Sequence, residues 1–140
     1  MCGFVGFTNY IKDDGTVLSM CKDRIVHRGP DSEGSYIDEN VALGFRRLSI
    51  IGLEDGDQPM FNEDGSLVLV FNGEIYNFKD IKEELIAAGH TFKSHADSEV
   101  LLHGFEQWGE KIVEKLRGMY AFVIYNKADN SLFGARDIFG

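Results

Sequence analysis

The order of hydrophobic runs and breaks in this 140-residue chain predicts an α+β domain, with mainly antiparallel sheets covered by helices. Short apolar runs around turn residues pair as hairpins near residues 34–46, 60–71 and 119–136. Stretches with helical spacing fall between these hairpins, without the regular strand-helix alternation of a parallel sheet. The length suits one domain with a single core, built from about seven strands and three or four helices.

Taken in order, residues 2–9 are rich in Phe, Val and Gly and read as a buried strand. Gly3 and Gly6 in it let another backbone or a ligand approach closely. The segment from Asp13 to Thr16 reads as a turn ending in a helix cap. Val17, Met20, Cys21 and Ile25 then recur at helical spacing up to His27, and Gly29 and Pro30 end that helix. Gly34–Ile37 and Val41–Arg46 form a hairpin around residues 38–40. Residues 52–59 have no periodicity and many turn formers, which marks a loop more often found at sites than in cores.

Met60–Phe61 and Ser66–Phe71 flank a turn at residues 62–65. The second run is almost wholly apolar and reads as a central strand. Asn77 is placed to cap a helix over 78–88, with Ile81, Leu85 and Ile86 as its stripe and Gly89 as its stop. Thr91–Lys93 reads as a short strand. Asp97 or Ser98 caps the next helix, whose broad apolar face is Leu101, Leu102, Phe105 and Trp108. A further short helix covers 110–116 and stops at Gly118, and strands at 119–125 and 132–136 close the chain.

Fourteen basic against 23 acidic residues give a net charge of -9. That field disfavours nucleic acid and anionic membranes as partners. No apolar run approaches 18 residues and no leader precedes Val5, so neither a membrane span nor a secretion signal is expected, and the cytoplasm is the expected compartment. Cys2 and Cys21 could be read as a disulfide pair. A reducing compartment argues against it, and Cys21 lies in a helical pattern that suits a buried free thiol. His90, His95 and His103 show no metal-ligand spacing with one another or with a cysteine, so no metal is expected, and no phosphate-binding Gly-rich loop is present.

Cys2 carries the chemistry that stands out. Once Met1 is removed, as a small second side chain allows, one residue holds a thiol and an α-amine. With reference pKa values of about 8.5 and about 7.7–8.0, the amine can take the thiol proton near neutral pH. While Met1 remains, that nitrogen is an amide and the base is missing.

Five stretches, Cys2-Gly3, His27–Asp31, Arg47–Ile50, Asn72–Asn77 and Ala96–Val100, together resemble the glutaminase domain of class II glutamine amidotransferases. These are N-terminal nucleophile hydrolases. Arg-Leu-Ser-Ile at 47–50 and Asn-Gly-Glu-Ile-Tyr-Asn at 72–77 are similar to the glutamine-hydrolysing asparagine synthetase branch. The resemblance implies a four-layer αββα fold and a reaction that releases glutamate and ammonia from glutamine through a Cys2 thioester.

The same resemblance implies roles for individual residues. Arg47 grips the substrate α-carboxylate, Asp97 pairs with its α-ammonium and Glu74 adds a second acceptor there. The alternatives for these three are a surface arginine, a helix cap and a solvated turn residue. Asn72 and Gly73 supply the oxyanion hole, although Asn-Gly is also the commonest two-residue hairpin turn. Arg28 fixes the Cys2 loop, and His27 is a packed imidazole and not a base. Glutamine is the implied ligand, with no cofactor in this domain. Family members continue with further strands and a C-terminal synthetase domain that uses ATP and Mg, so the 140 residues are expected to be incomplete at the C-terminal end. A homodimer is one arrangement the resemblance allows. The rival to the enzyme reading is an inert, truncated scaffold or dimerisation module.

Overall fold

The computed structural model describes residues 2–8, 14–48 and 56–140. Met1, the start of the first turn at Asp13, Ser49 and Ile50 of the arginine motif, and the first half of the aperiodic loop lie outside these residues. Two antiparallel sheets stack face to face. The first has the order β1-β3-β2, from Gly3–Thr8, Val41–Arg47 and Ser32–Ile37. The second has the order β4-β5-β6-β7, from Met60–Phe61, Leu67–Ile75, Gly118–Asn126 and Ser131–Arg136. Helix α1 (Asp14–Arg24) packs on the outer face of the first sheet. Helices α2 (Phe78–Ala87), α3 (Glu99–Trp108) and α4 (Ile112–Lys115) cover the second. The layers run helix, sheet, sheet, helix, as the four-layer expectation had it.

Strand periodicity explains how β5 and β6 serve two cores at once. Leu67, Leu69 and Phe71 with Phe122 and Ile124 face the helices. Val68 and Val70 with Tyr125 face the first sheet, meeting Val41, Leu43 and Phe45 of β3. Successive strand side chains point to opposite faces, so a nearly continuous apolar run is what a strand buried on both sides requires. Leu85, Leu101 and Leu102 of α2 and α3 are fully buried against this sheet. Each such side chain contributes about 1.5–3 kcal/mol of transfer free energy.

Several local features differ from the sequence expectation. Helix α1 begins at Asp14 and stops at Arg24, and a 3-10 turn, Val26–Arg28, follows. Its buried face is Leu18 and Lys22, with Met20 59% exposed. The reason is Gly44 on β3, which leaves room for these two stems: a Cβ there would meet Lys22 Cγ at 2.8 Å and Leu18 Cδ1 at 3.0 Å. The Lys22 stem is buried while its ammonium reaches Glu33 at 3.1 Å, the behaviour of a long amphipathic side chain. Cys21 is half-buried and free, where a buried thiol was expected. His27 is exposed, so it is not the packed imidazole anticipated.

Asn77 does stand at the start of α2 but makes no side-chain cap. Its amide instead donates to the Lys115 carbonyl at 2.9 Å and accepts from the Arg117 N–H at 2.8 Å, tying α2 to the entry of β6. Ile86, read as part of the α2 stripe, is exposed. Thr91–Lys93 is not a strand. That segment wraps around the Glu99 carboxylate, which accepts from the N–H groups of Lys93 and Ser94 at 2.7 and 2.8 Å and from the Ser94 hydroxyl at 2.6 Å. Neither Asp97 nor Ser98 caps α3 through its side chain. Ser98 occupies the cap position without such a bond, and Asp97 is used elsewhere. No helix among the described residues is long and apolar enough to cross a membrane.

Candidate active site

Strand register brings the first two pieces of the site together. Gly3 pairs with Arg46 in the β1–β3 ladder, so Cys2, one residue before it, comes abreast of Arg47 at the end of β3. The Leu48 N–H donates to Cys2 Sγ at 3.3 Å. The thiol in turn lies 3.7 Å from the Leu48 carbonyl. Behind the strand, Arg28 Nε donates to the Cys2 carbonyl at 3.2 Å, which holds the amino-terminal residue in place. Arg28 does this from outside the cavity.

The opposing wall comes from the second sheet. The sequence reading ended this strand at Phe71, with Asn72-Gly73-Glu74 following it; they lie within the strand, which runs on to Ile75 and pairs with β6 throughout. This excludes the hairpin-turn reading of Asn-Gly. Gly73 is opposite Tyr120, and a Cβ at Gly73 would collide with the Met119 carbonyl and sit 2.6 Å from Tyr120 Cα. Only glycine fits, and its φ of 155° adds to that requirement.

The direction of the Gly73 N–H follows from its neighbours. Tyr120 donates its N–H to Asp137 Oδ2 at 3.0 Å and accepts from the Asp137 N–H at 2.9 Å. Both backbone groups of Tyr120 therefore point away from β5. In an antiparallel ladder this makes Gly73–Tyr120 a non-hydrogen-bonded pair, and turns the Gly73 N–H away from β6. Phe71 and Ile75, two residues to either side, face the same way. Their N–H groups donate to Gln58 Oε1 at 2.6 Å and to Asp97 Oδ2 at 2.7 Å. Between them the Gly73 N–H has no partner among the described residues, on an edge lined by the cavity side chains Gln58 and Asp97.

One cavity of about 500 Å³ collects Cys2, Arg47, Asn72, Gly73, Glu74 and Asp97. That volume suits a small-molecule ligand. Its charges are arranged at separate points. Arg47 is buried, and its Nη1 lies 2.9 Å from the Asp57 carboxylate, itself 87% exposed. Asp97 sits beside the exposed Glu74. Burial is the main cause that raises the Asp97 carboxyl above the usual carboxylate range. Hydrogen bonds from the Ile75 and Ser98 N–H groups oppose that rise, and the neighbouring Glu74 charge adds to it. A carboxylate raised in this way lacks a compensating cation, which is what an ammonium supplies.

Asp57, Gln58 and Met119 border this site and were not singled out from the sequence, and His95, weighed there only as a metal ligand, lines it too. Asp57 and Gln58 fall in the aperiodic loop, whose lack of pattern was the available signal. Met119 reaches the cavity because β6 pairs with β5 there, opposite Glu74, and nothing local in the sequence marks it.

Comparison with known proteins agrees with this geometry. The family model for the glutamine amidotransferase domain matches residues 1–140. The chain is 50% identical to asparagine synthetase [glutamine-hydrolyzing] 1 of Bacillus subtilis (strain 168), covering 100% of this chain and 23% of that protein. It is 38% identical to asparagine synthetase [glutamine-hydrolyzing] 3 of Arabidopsis thaliana, covering 100% of this chain and 24% of that one. The chain thus spans about a quarter of the length of these relatives. Among solved structures it is similar to the glutamine phosphoribosylpyrophosphate amidotransferase from B. subtilis, with a TM-score of 0.54 and 27% identity over 65% of this chain and 22% of that chain. A structure described as the allosteric regulatory enzyme of purine biosynthesis aligns with a TM-score of 0.60 and 28% identity, over 72% of this chain and 24% of that chain. With two stacked sheets, a cysteine facing a buried arginine across β1 and β3, and a family model matched from end to end, the chain belongs to the glutamine amidotransferase domain family.

Proposed function

We propose that the chain is a glutaminase domain that hydrolyses glutamine to glutamate and ammonia through Cys2. The observation that carries this reading is the meeting of Cys2, Arg47, Asn72, Gly73, Glu74 and Asp97, from four distant stretches of sequence, around one cavity. Glutamine has a carboxylate and an ammonium at one end and a neutral amide at the other. The cavity offers a guanidinium, a pair of carboxylates and a thiol in matching chemistry.

With Met1 removed, the Cys2 α-amine takes the thiol proton and Sγ attacks the side-chain carbonyl carbon. A carbon–sulfur bond forms and the carbonyl electron pair moves to oxygen. The Asn72 amide and the Gly73 N–H stabilise that oxyanion. As the oxyanion collapses, the carbon–nitrogen bond breaks and the protonated amine gives its proton to the leaving ammonia. Water, losing a proton to the amine, then attacks the γ-glutamyl thioester and the carbon–sulfur bond breaks, releasing glutamate and restoring the thiol.

Arg47 holds the α-carboxylate, in competition with its 2.9 Å pair to the exposed Asp57. Replacing Arg47 with alanine is expected to raise KM for glutamine by roughly tenfold to a hundredfold, the loss of a charge-assisted pair, with little change in kcat. Steady-state glutamate release measures it, and an effect confined to kcat contradicts the assignment.

Asp97 and Glu74 receive the α-ammonium, and only the ionised carboxylate does so. Because the Asp97 carboxyl is raised, glutamine affinity is full above its pKa and falls as pH drops through it, beginning above the about 3.9 of an ordinary aspartate. In the ligand-free chain the sign is reversed: a carboxyl raised on folding costs stability as pH climbs from the unfolded to the folded pKa. The pH profile of KM tests this. Asp97→Asn, which keeps an acceptor for the Ile75 N–H, should raise KM and remove the acidic inflection; an unchanged profile contradicts the role.

In a longer parent protein, the ammonia released here feeds asparagine formation from aspartate, with ATP and magnesium belonging to a C-terminal synthetase domain beyond this one. The names and fourfold greater length of the relatives support that placement. A reducing cytoplasm suits the two free thiols, Cys2 and Cys21.

A further inference from the structure

On the far side of the second sheet, away from the cavity, His90 follows α2, His103 and Glu106 sit one turn apart on α3, and Glu63 lies in the β4–β5 turn. The sequence spacing of the histidines gave no sign of ligand geometry. In the fold, one ligand atom each from His90, His103 and Glu106 lie within 4.8 Å of one another. Glu106 Oε2 is 3.0 Å from His103 Nδ1 and 3.6 Å from His90 Nδ1, and Glu63 Oε1 is 3.7 Å from His103 Nδ1. Bonds of about 2.0–2.2 Å to zinc place neighbouring ligands of a tetrahedron about 3.3–3.5 Å apart. The 3.6 and 3.7 Å pairs lie within a few tenths of an ångström of that; the widest pair of the three, at up to 4.8 Å, closes by about an ångström on binding, and the half-exposed Glu63, close to His103 alone, swings in as the fourth ligand.

The groups behind these ligands point the same way. His103 Nε2 is 3.4 Å from Glu99 Oε1, and His90 Nε2 is 3.0 Å from Gln107 Oε1. Both rings thus turn Nδ1 toward the cluster while Nε2 meets an oxygen acceptor. That is the outer-shell arrangement which fixes the tautomer of a metal-bound histidine. The second oxygen of Glu106 accepts from Asn62 Nδ2 at 2.7 Å, and the Glu99 carboxylate is held by Lys93 and Ser94. Each first ligand except Glu63 therefore has its own orienting partner.

We propose that His90, His103, Glu106 and Glu63 form a structural zinc site that clamps α3 to the end of α2 and to the β4–β5 turn. Two imidazoles and two carboxylates suit a divalent first-row ion, and four protein ligands leave no open coordination position for chemistry. The site would steady the segment from His90 to Ser98, at the end of which Asp97 reaches into the cavity.

The test is titration of the metal-stripped 140-residue chain with Zn²⁺ alone, followed by calorimetry and thermal unfolding. Expected are one ion per chain, a micromolar or lower Kd, and a Tm rise of roughly 8–10 °C at a hundredfold excess over Kd. Cobalt bound in place of zinc should show tetrahedral d–d bands and no thiolate charge-transfer band. Because buried His103 can fail the fold when changed, His90→Ala is the variant to use; it should weaken binding tenfold or more while leaving metal-free Tm near that of the parent. The proposal is overturned by absence of saturable binding, by equal affinity in His90→Ala, or by a thiolate band that moves the ion to Cys2 or Cys21. It is equally overturned if zinc leaves Tm unchanged.

Discussion

Alanine in place of Cys2 is expected to cut glutamate release from glutamine by roughly 10⁴-fold or more, to the level of the uncatalysed reaction. Every covalent step passes through Sγ, and no described side chain stands in its position against Arg47. The fold should survive. Cys2 is half-buried, its backbone remains held by Arg28, and the change gives up the weak Leu48–sulfur contact and a small part of the packing at the edge of the inter-sheet core. Near-parent Tm together with lost turnover separates chemistry from folding. Retained turnover in Cys2→Ala would remove the mechanism.

The second large effect belongs to Gly73. A methyl group there meets backbone atoms of Met119 and Tyr120, which cannot move aside as a flexible side-chain tip can. Overpacking of this kind costs about 1–3 kcal/mol, and displacement of β5 from β6 also moves the one N–H on that edge without a partner among the described residues. Gly73→Ala should therefore lower Tm and reduce kcat by about a hundredfold to a thousandfold, the usual effect of losing an oxyanion donor. Asn72→Ala separates the two consequences. Asn72 is half-buried, so its truncation should cost similar rate with little stability. Normal kcat in both variants would mean that negative charge develops elsewhere.

The strands were legible in the sequence because each sheet-forming run has its own apolar signature. The run at 67–71 is continuous because β5 is buried on both faces, and the hairpin at 41–47 follows a clear turn. The face of α1 was not legible. Its apolar residues suggested Val17 and Met20, but Gly44 on a strand two dozen residues away selects Leu18 and Lys22. Caps failed for a related reason. Asn77 and Asp97 have the right chemistry for helix starts, yet each is drawn to a distant backbone group, Arg117 and Ile75 respectively. The candidate site residues came from motif resemblance, and in the fold Cys2, Arg47, Asn72, Gly73, Glu74 and Asp97 line one cavity. What resemblance could not supply was the direction of the Gly73 N–H, which depends on Asp137 satisfying Tyr120 across another strand. The histidine cluster was invisible because its members become neighbours only when α2, α3 and the β4–β5 turn pack together.

The most direct test of the nucleophile is labelling with a diazoketone analogue of glutamine, followed by tandem mass spectrometry of the intact amino terminus. The account predicts one adduct per chain on Cys2 sulfur, formed only in chains that have lost Met1 and prevented by excess glutamine. Labelling of Cys21 instead, or equal labelling of Cys2 in chains that keep Met1, would contradict it.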